Sequence, residues 1–163
     1  MQYGIFIPRD QWEPVREVDL ADEEAVRDIL HGDPLPSPIG QLNLSMLAEG
    51  PVPGRKRWPN VRATRLVWFL AGGVVTPIYG DAILVSDYVR GEKVPEPLRR
   101  RLLGLGGPFR IHVGLRHEDA WFIQGGLQFD YFDAIEEAMD LHRNSMGHVE
   151  HIHIARADEV LLW

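Results

Sequence analysis

Phe109-Arg110-Ile111-His112-Val113-Gly114-Leu115 alternates apolar and polar side chains along its length. That is the two-residue period of a strand with one face against a core and the other in water. Working outward, Arg116 to Asp119 supplies a hairpin turn, and Ala120 to Gln124 the returning strand. Asp130 then offers a capping carboxylate to a helix over about Phe132 to Asn144. Its inner stripe is Ile135, Ala138, Met139 and His142, and Gly147 lies past its end. His148 to Ala155 alternates again and closes the unit. Two adjacent strands, a helix and a further strand predict an antiparallel sheet covered on one side, hence an α+β fold with a C-terminal β-β-α-β unit. The helix is expected over the Ile111, Val113, Ile152 and Ile154 face.

Toward the N-terminus, Tyr3 to Ile7 reads as a short strand ended by Pro8. Asp22 to His31 reads as a helix, with Asp19 and Asp22 for capping, Val26, Ile29 and Leu30 on one face, and Gly32 at the C′ position. Pro34, Pro36, Pro38, Pro51, Pro53 and Pro59 then interrupt the chain. They allow only brief regular structure, such as a strand at Leu42 to Leu47, so residues from about 33 to 59 are read as a surface connection. Asn60 caps a helix to about Leu70, ended by Gly72-Gly73. Pro77 to Ser86 reads as a strand interrupted at Gly80-Asp81, and Pro97 to Leu103 as a short helix opened by its proline.

The chain has 163 residues, 45% of them apolar, which suits one domain, residues 1–163, that needs no staples to hold its core. It has no cysteine, which removes disulfides, thiolate metal sites and cysteine nucleophiles together. Its longest apolar run, Leu66 to Val75, is half the length of a bilayer span. Met1 to Pro8 lacks the basic start of a secretory leader. The expectation is a cytoplasmic chain with no membrane segment and no cofactor.

Charge is unevenly spread. Residues 1–54 carry −7, residues 55–101 carry +6 and residues 102–163 carry −6. The densest part of the basic island, Arg55-Lys56-Arg57-Trp58-Pro59-Asn60-Val61-Arg62-Ala63-Thr64-Arg65, joins guanidinium forks to an indole, chemistry suited to phosphate or carboxylate recognition. Arg62 and Arg65, three apart, are expected on an exposed helix face, and Arg99, Arg100 and Arg101 extend the basic set. The competing explanation is that these cations simply offset the acidic thirds of the same molecule.

Four of the seven histidines fall between His142 and His153. His151 and His153 share one side of their strand, and His112 joins them if the strands pair. That geometry could hold a metal or supply a base, although a sheet with a wet face accounts for the same alternation. Asp133, Glu137 and Asp140 read as an exposed acidic stripe. Gly72-Gly73 and Gly104-x-Gly106-Gly107 lack the following Lys-Ser/Thr of a phosphate loop, and no serine stands in a Gly-x-Ser-x-Gly elbow.

Trp58-Pro59-Asn60-Val61-Arg62-Ala63-Thr64-Arg65-Leu66, followed by Ile78-Tyr79-Gly80-Asp81-Ala82-Ile83-Leu84-Val85, resembles the domain of unknown function 3846 family of phages, plasmids and actinobacterial genomes. The likeness runs over about residues 15–105, and the Pro-rich insert before Asn60 departs from it. It implies a phage or mobile-element accessory protein and carries over no activity.

The function expected from these readings is a non-enzymatic binding module. It would engage an anionic macromolecule, either the acidic surface of a host protein or nucleic acid, through Arg55, Lys56, Arg57, Trp58, Arg62 and Arg65 with Arg99, Arg100 and Arg101. Two alternatives stand beside it. One is a small metal-dependent enzyme or metal binder using His112, His151 and His153. The other is an oligomeric structural protein anchored by Trp12, Trp121 and Trp163.

Overall fold

The computed structural model describes residues 3–51, 53–54, 56–73, 75–86, 93–118 and 120–159. It is a mixed α+β fold built on two antiparallel sheets, and the chain divides into two compact units, Met1–Arg99 and Arg100–Trp163. Among the described residues no helix is long and apolar enough to cross a membrane.

The first unit contains strands β1 (Tyr3–Ile7) and β2 (Arg16–Asp19), helix α1 (Glu23–Leu30), strands β3 (Pro34–Pro38) and β4 (Leu44–Glu49), helix α2 (Val61–Ala71) and strand β5 (Ala82–Ser86). Its five strands run in the order β2-β1-β5-β4-β3, each antiparallel to its neighbours. Val26 and Leu30 of α1 join Phe6, Val18, Leu47, Ile83 and Val85 in one buried cluster. Ile5, Met46 and Leu84, on the other side by register, are buried as well. Sheet burial on both faces explains why β5, Ala82-Ile83-Leu84-Val85-Ser86, has no polar alternation.

The surface connection expected at residues 33–59 is replaced in its first half by a hairpin of β3 and β4. Prolines at alternate positions 34, 36 and 38 make this compatible with a sheet. All three place their ring nitrogens on the same side, so β3 can bond β4 through Leu35 and Ser37 and turn the donorless side outward. Being outermost in the sheet, β3 loses nothing. Strand β2 carries Arg16, Glu17 and Asp19 around a single buried Val18, too little apolar pattern to signal a strand. At the end of α1 it is His31, at φ 58°, that takes the left-handed conformation expected of Gly32.

The second unit follows the C-terminal pattern closely. Helix α3 (Glu96–Leu102) spans the division between the units, one residue ahead of expectation. Strands β6 (Phe109–Leu115), β7 (Trp121–Gln128) and β8 (Val149–Arg156) form a sheet in the order β7-β6-β8, and helix α4 (Tyr131–Asn144) packs on all three. Ile111 faces Ile154 and Val113 faces Ile152 across the ladder. Ile111, Val113 and Ile154 are buried with Ala134, Ile135, Ala138 and Met139 of α4. Each fully buried aliphatic side chain contributes about 1.5–3 kcal/mol, so the helix covers this face and leaves the imidazoles to the other. His142 is exposed, so the inner stripe of α4 stops at Met139. Strand β7 runs four residues past the expected Gln124, after an irregularity in its ladder at Gly125, whose φ is 72°.

Asn60 joins three distant parts of the first unit. Wholly buried, it accepts from the Ala63 amide with Oδ1 (3.0 Å) as the α2 cap. Its Nδ2 donates to the carbonyls of Ile7 (2.8 Å) and Gly80 (3.0 Å). Truncation to alanine removes the cap and leaves two carbonyls short of a donor. Asn60→Ala is therefore expected to cost about 3 kcal/mol or more. Urea unfolding measures this, and a loss below about 1 kcal/mol would contradict the account.

Candidate functional site

Segment 56–60 is held edge to edge against 78–80. Pro59 bridges to Tyr79, the Gly80 amide donates to Trp58 O (2.9 Å), and the Asn60 amide donates to Ile78 O (2.8 Å). Thr64 Oγ1 completes the join, donating to Asn60 O (2.8 Å) and accepting from the Ile78 amide (3.0 Å). Segment 56–60 and residues 78–80 are thus one structural knot. Its outer edge presents Lys56, Arg57 and Trp58 to a cleft of about 340 Å³.

Lys56 Nζ stands 4.2 Å from the centroid of the Trp58 ring, and Trp58 remains 53% exposed. Arg57 is drawn inward, with Nη1 donating to Glu49 O (2.8 Å) and its guanidinium 5.0 Å over the Tyr79 ring. Arg9, Asp10 and Glu13 from the loop after β1 line the cleft, as do His31, Glu49 and Asp81. Glu49 is buried, and its side chain lies 3.2 Å from where a Cβ on Gly32 would sit. Asp81 accepts from the Arg9 amide (2.7 Å) and lies 3.4 Å from His31 Nε2. This cleft mixes signs: Arg9, Lys56 and Arg57 share it with four carboxylates.

The remaining sequence-derived binding residues take other roles. Arg55 lies outside the described residues. Arg62 is half-buried rather than on an exposed face, and its Nη2 donates to the carbonyls of Pro8 (2.7 Å), Asp10 (2.6 Å) and Glu13 (3.1 Å). It fixes the loop that forms one wall of the cleft, so a charge reversal there tests folding before it tests binding. Arg65 is also half-buried. Arg99 pairs with both oxygens of Glu17 (2.7 Å each) and with Glu96 (3.0 Å). The Arg99 hydrogen bonds hold the Glu17 carboxyl below its ordinary range. Arg101 lies 3.7 Å from Glu159 and 5.8 Å from the Tyr131 ring centroid, whereas Arg100 is exposed. Sequence reasoning missed Arg9, Asp10, Glu13, His31, Glu49 and Asp81. Gly80-Asp81 was the one local signal, a glycine and acid breaking an apolar strand.

His112, His151 and His153 do share the face of the second sheet away from α4. His112 pairs directly with His153, and His151 with Gly114. His151 stacks on Trp121, with ring centroids 6.2 Å apart at 26°. Glu137, expected on the exposed acidic stripe, is half-buried and accepts from Gln128 Nε2. Among the described residues no group of three or more His, Asp or Glu side chains is placed to hold a metal ion. Trp12 is 86% exposed, and Trp163 lies outside the described residues.

Compared with protein-family models, curated proteins and solved structures, the chain matches none.

Burial lowers the proton affinity of His112, with Arg110 adding to the effect. Burial likewise lowers that of His153, with Arg101 and His112 adding and Glu159 opposing. The folded chain therefore binds fewer protons here than the unfolded chain. Their contribution to stability is complete above the ordinary histidine value of 6.5 and is lost as pH falls through the lowered folded values. The melting temperature should fall between about pH 7.5 and about pH 5.5, and less steeply in a His112→Gln/His153→Gln double variant. Calorimetry at matched ionic strength checks this, and identical slopes would contradict it.

Proposed function

We propose that this protein is a non-enzymatic binding module that takes the anionic side chains of a protein partner at the cleft bordered by Lys56, Arg57 and Trp58. The observation that carries this reading is the Lys56 ammonium 4.2 Å over a half-exposed indole at the mouth of the cleft. An exposed cation–π pair offers charge and flat apolar surface together, the combination found at interface anchors. Arg62 and Arg99 are engaged away from the cleft, whereas Arg57, although it donates to the Glu49 carbonyl, lines it together with Lys56, Trp58 and Arg9, and the proposed recognition face is these four.

Charge balance favours a polypeptide over nucleic acid. A polyphosphate meeting Asp10, Glu13, Glu49 and Asp81 in the same cleft is repelled, and nucleic-acid affinity draws on several neutralised phosphates at once. A protein surface can set its own carboxylates on Lys56 and Arg57 and donors on the acidic wall. A cytoplasmic, phage or mobile-element accessory setting fits the resemblance at Asn60 to Thr64 and Gly80-Asp81, which supports the reading without adding an activity.

The test uses a labelled peptide in which glutamates alternate with lysines and a labelled single-stranded oligonucleotide of equal length, followed by fluorescence anisotropy. The peptide is expected to bind more tightly and with the shallower salt dependence. Lys56→Glu with Trp58→Ala should weaken that binding by about tenfold or more while moving the melting temperature by only a few degrees, since both side chains are exposed. Equal binding of the peptide by the double variant would remove the site, and preference for the oligonucleotide would replace the partner class.

A further inference from the structure

The loop between β1 and β2 is fixed in its backbone and unengaged in its side chains. Asp10 and Glu13 close a turn: the Glu13 amide donates to Asp10 O (3.2 Å) and the Trp12 amide to Asp10 Oδ1 (2.9 Å). Gln11 and Trp12 stand at its corner. Arg62 of α2 then secures the loop through the carbonyls of Pro8, Asp10 and Glu13. Residues 9–13 are nonetheless exposed, Trp12 at 86%. Among the described residues the side chains of Arg9, Gln11, Trp12 and Glu13 have no hydrogen bond, ion pair or ring contact. Ordering a loop costs conformational entropy, which contacts of its side chains ordinarily offset. Held in place without adding to the core, this loop is preorganised for a contact outside the chain.

We propose that Trp12 and Glu13 form a subsite for a basic side chain, lysine or arginine, of the same polypeptide that sets its carboxylates on Lys56 and Arg57, which rests on the cleft being that partner's binding place. The subsite and the cleft are continuous, because Arg9, Asp10 and Glu13 of this loop line the cleft. The partner segment then carries an acid and a base side by side, each meeting its opposite.

Charge selects a cation as the occupant. Residues 1–54 carry −7, and Asp10 stands in the same cleft as Glu13. Arg9 shares both loop and cleft with Glu13, yet the two side chains form no ion pair. That leaves the Glu13 carboxylate for a cation from outside and the Arg9 guanidinium for a carboxylate. An exposed indole adds to the attraction, since its face draws an ammonium or guanidinium and its apolar surface takes the methylenes of the stem. The chain makes the same kind of pair itself at Lys56 and Trp58. A phosphate meets only repulsion from Asp10 and Glu13.

Fluorescence anisotropy with the full chain at about 0.15 M salt separates the two halves. A labelled peptide in which lysines alternate with glutamines probes Trp12 and Glu13, and one in which glutamates alternate with glutamines probes Lys56, Arg57 and Trp58. Trp12→Ala with Glu13→Gln is expected to weaken binding of the lysine peptide by about tenfold and to change that of the glutamate peptide by less than about twofold. Both side chains are exposed and unengaged, so the melting temperature should move by only a few degrees. Glu24→Gln removes the same charge from an exposed position on α1 and should leave the lysine peptide within about twofold of wild type. A wild-type chain that does not bind the lysine peptide overturns the subsite. So does binding that survives the Trp12 and Glu13 changes, or that Glu24→Gln weakens as much. A glutamate peptide that fails to bind, while the lysine peptide still depends on Trp12 and Glu13, overturns the reading of Lys56, Arg57 and Trp58 and leaves the subsite standing.

Discussion

One buried amide organises the first unit. Asn60 draws the end of β1, the turn before β5 and the start of α2 together, although its carbonyl partners Ile7 and Gly80 are 53 and 20 residues away in the chain. An asparagine side chain offers one acceptor and two donors, and here all three are used. That satisfaction is what makes full burial of a polar group tolerable. Thr64 adds a second layer with the Asn60 carbonyl and the Ile78 amide. The segment carrying Lys56, Arg57 and Trp58 has no strand or helix of its own. It owes its place to this knot.

Arginine chemistry explains how the cleft is walled. Arg62 turns one Nη toward three carbonyls of the loop that carries Arg9, Asp10 and Glu13, its two N–H groups shared among them. Arg99 makes a bidentate pair with Glu17 through Nε and Nη2, the fork of donors that a lysine does not offer. The basic island thus has two physical uses. Part of it ties the chain to itself, and part of it, with Trp58, stays at the surface. The cleft also recruits carboxylates from β4 and from the residue ahead of β5, so its field is mixed rather than basic.

The second unit rests on a different principle. Its sheet separates apolar from polar by strand period alone: Ile111, Val113 and Ile154 under α4, and His112, His151 and His153 on the opposite side. The imidazoles line up because they share a period. No carboxylate joins them in a metal-holding group among the described residues, and their lowered proton affinity follows from partial burial and neighbouring cations.

What the sequence determined by itself was local. The period of Phe109 to Leu115 and of His148 to Ala155, the caps at Asp22, Asn60 and Asp130, and the glycine after α2 each depend on residues within a few positions of one another, so strands β6 and β8 and helices α1, α2 and α4 were legible within a residue or so. The partners of each arginine were not legible. Arg62 reaches carbonyls 49 to 54 residues away, and backbone carbonyls leave no mark in composition or spacing. Nor were β2 and β3, whose charges and prolines contradict a strand until a neighbouring strand supplies the bonds and an open edge takes the rest. The cleft at Asp81, His31 and Glu49 came from three separate elements, and only the closed chain could bring them together, because hydrogen bonding between distant segments is decided by tertiary packing rather than by local pattern.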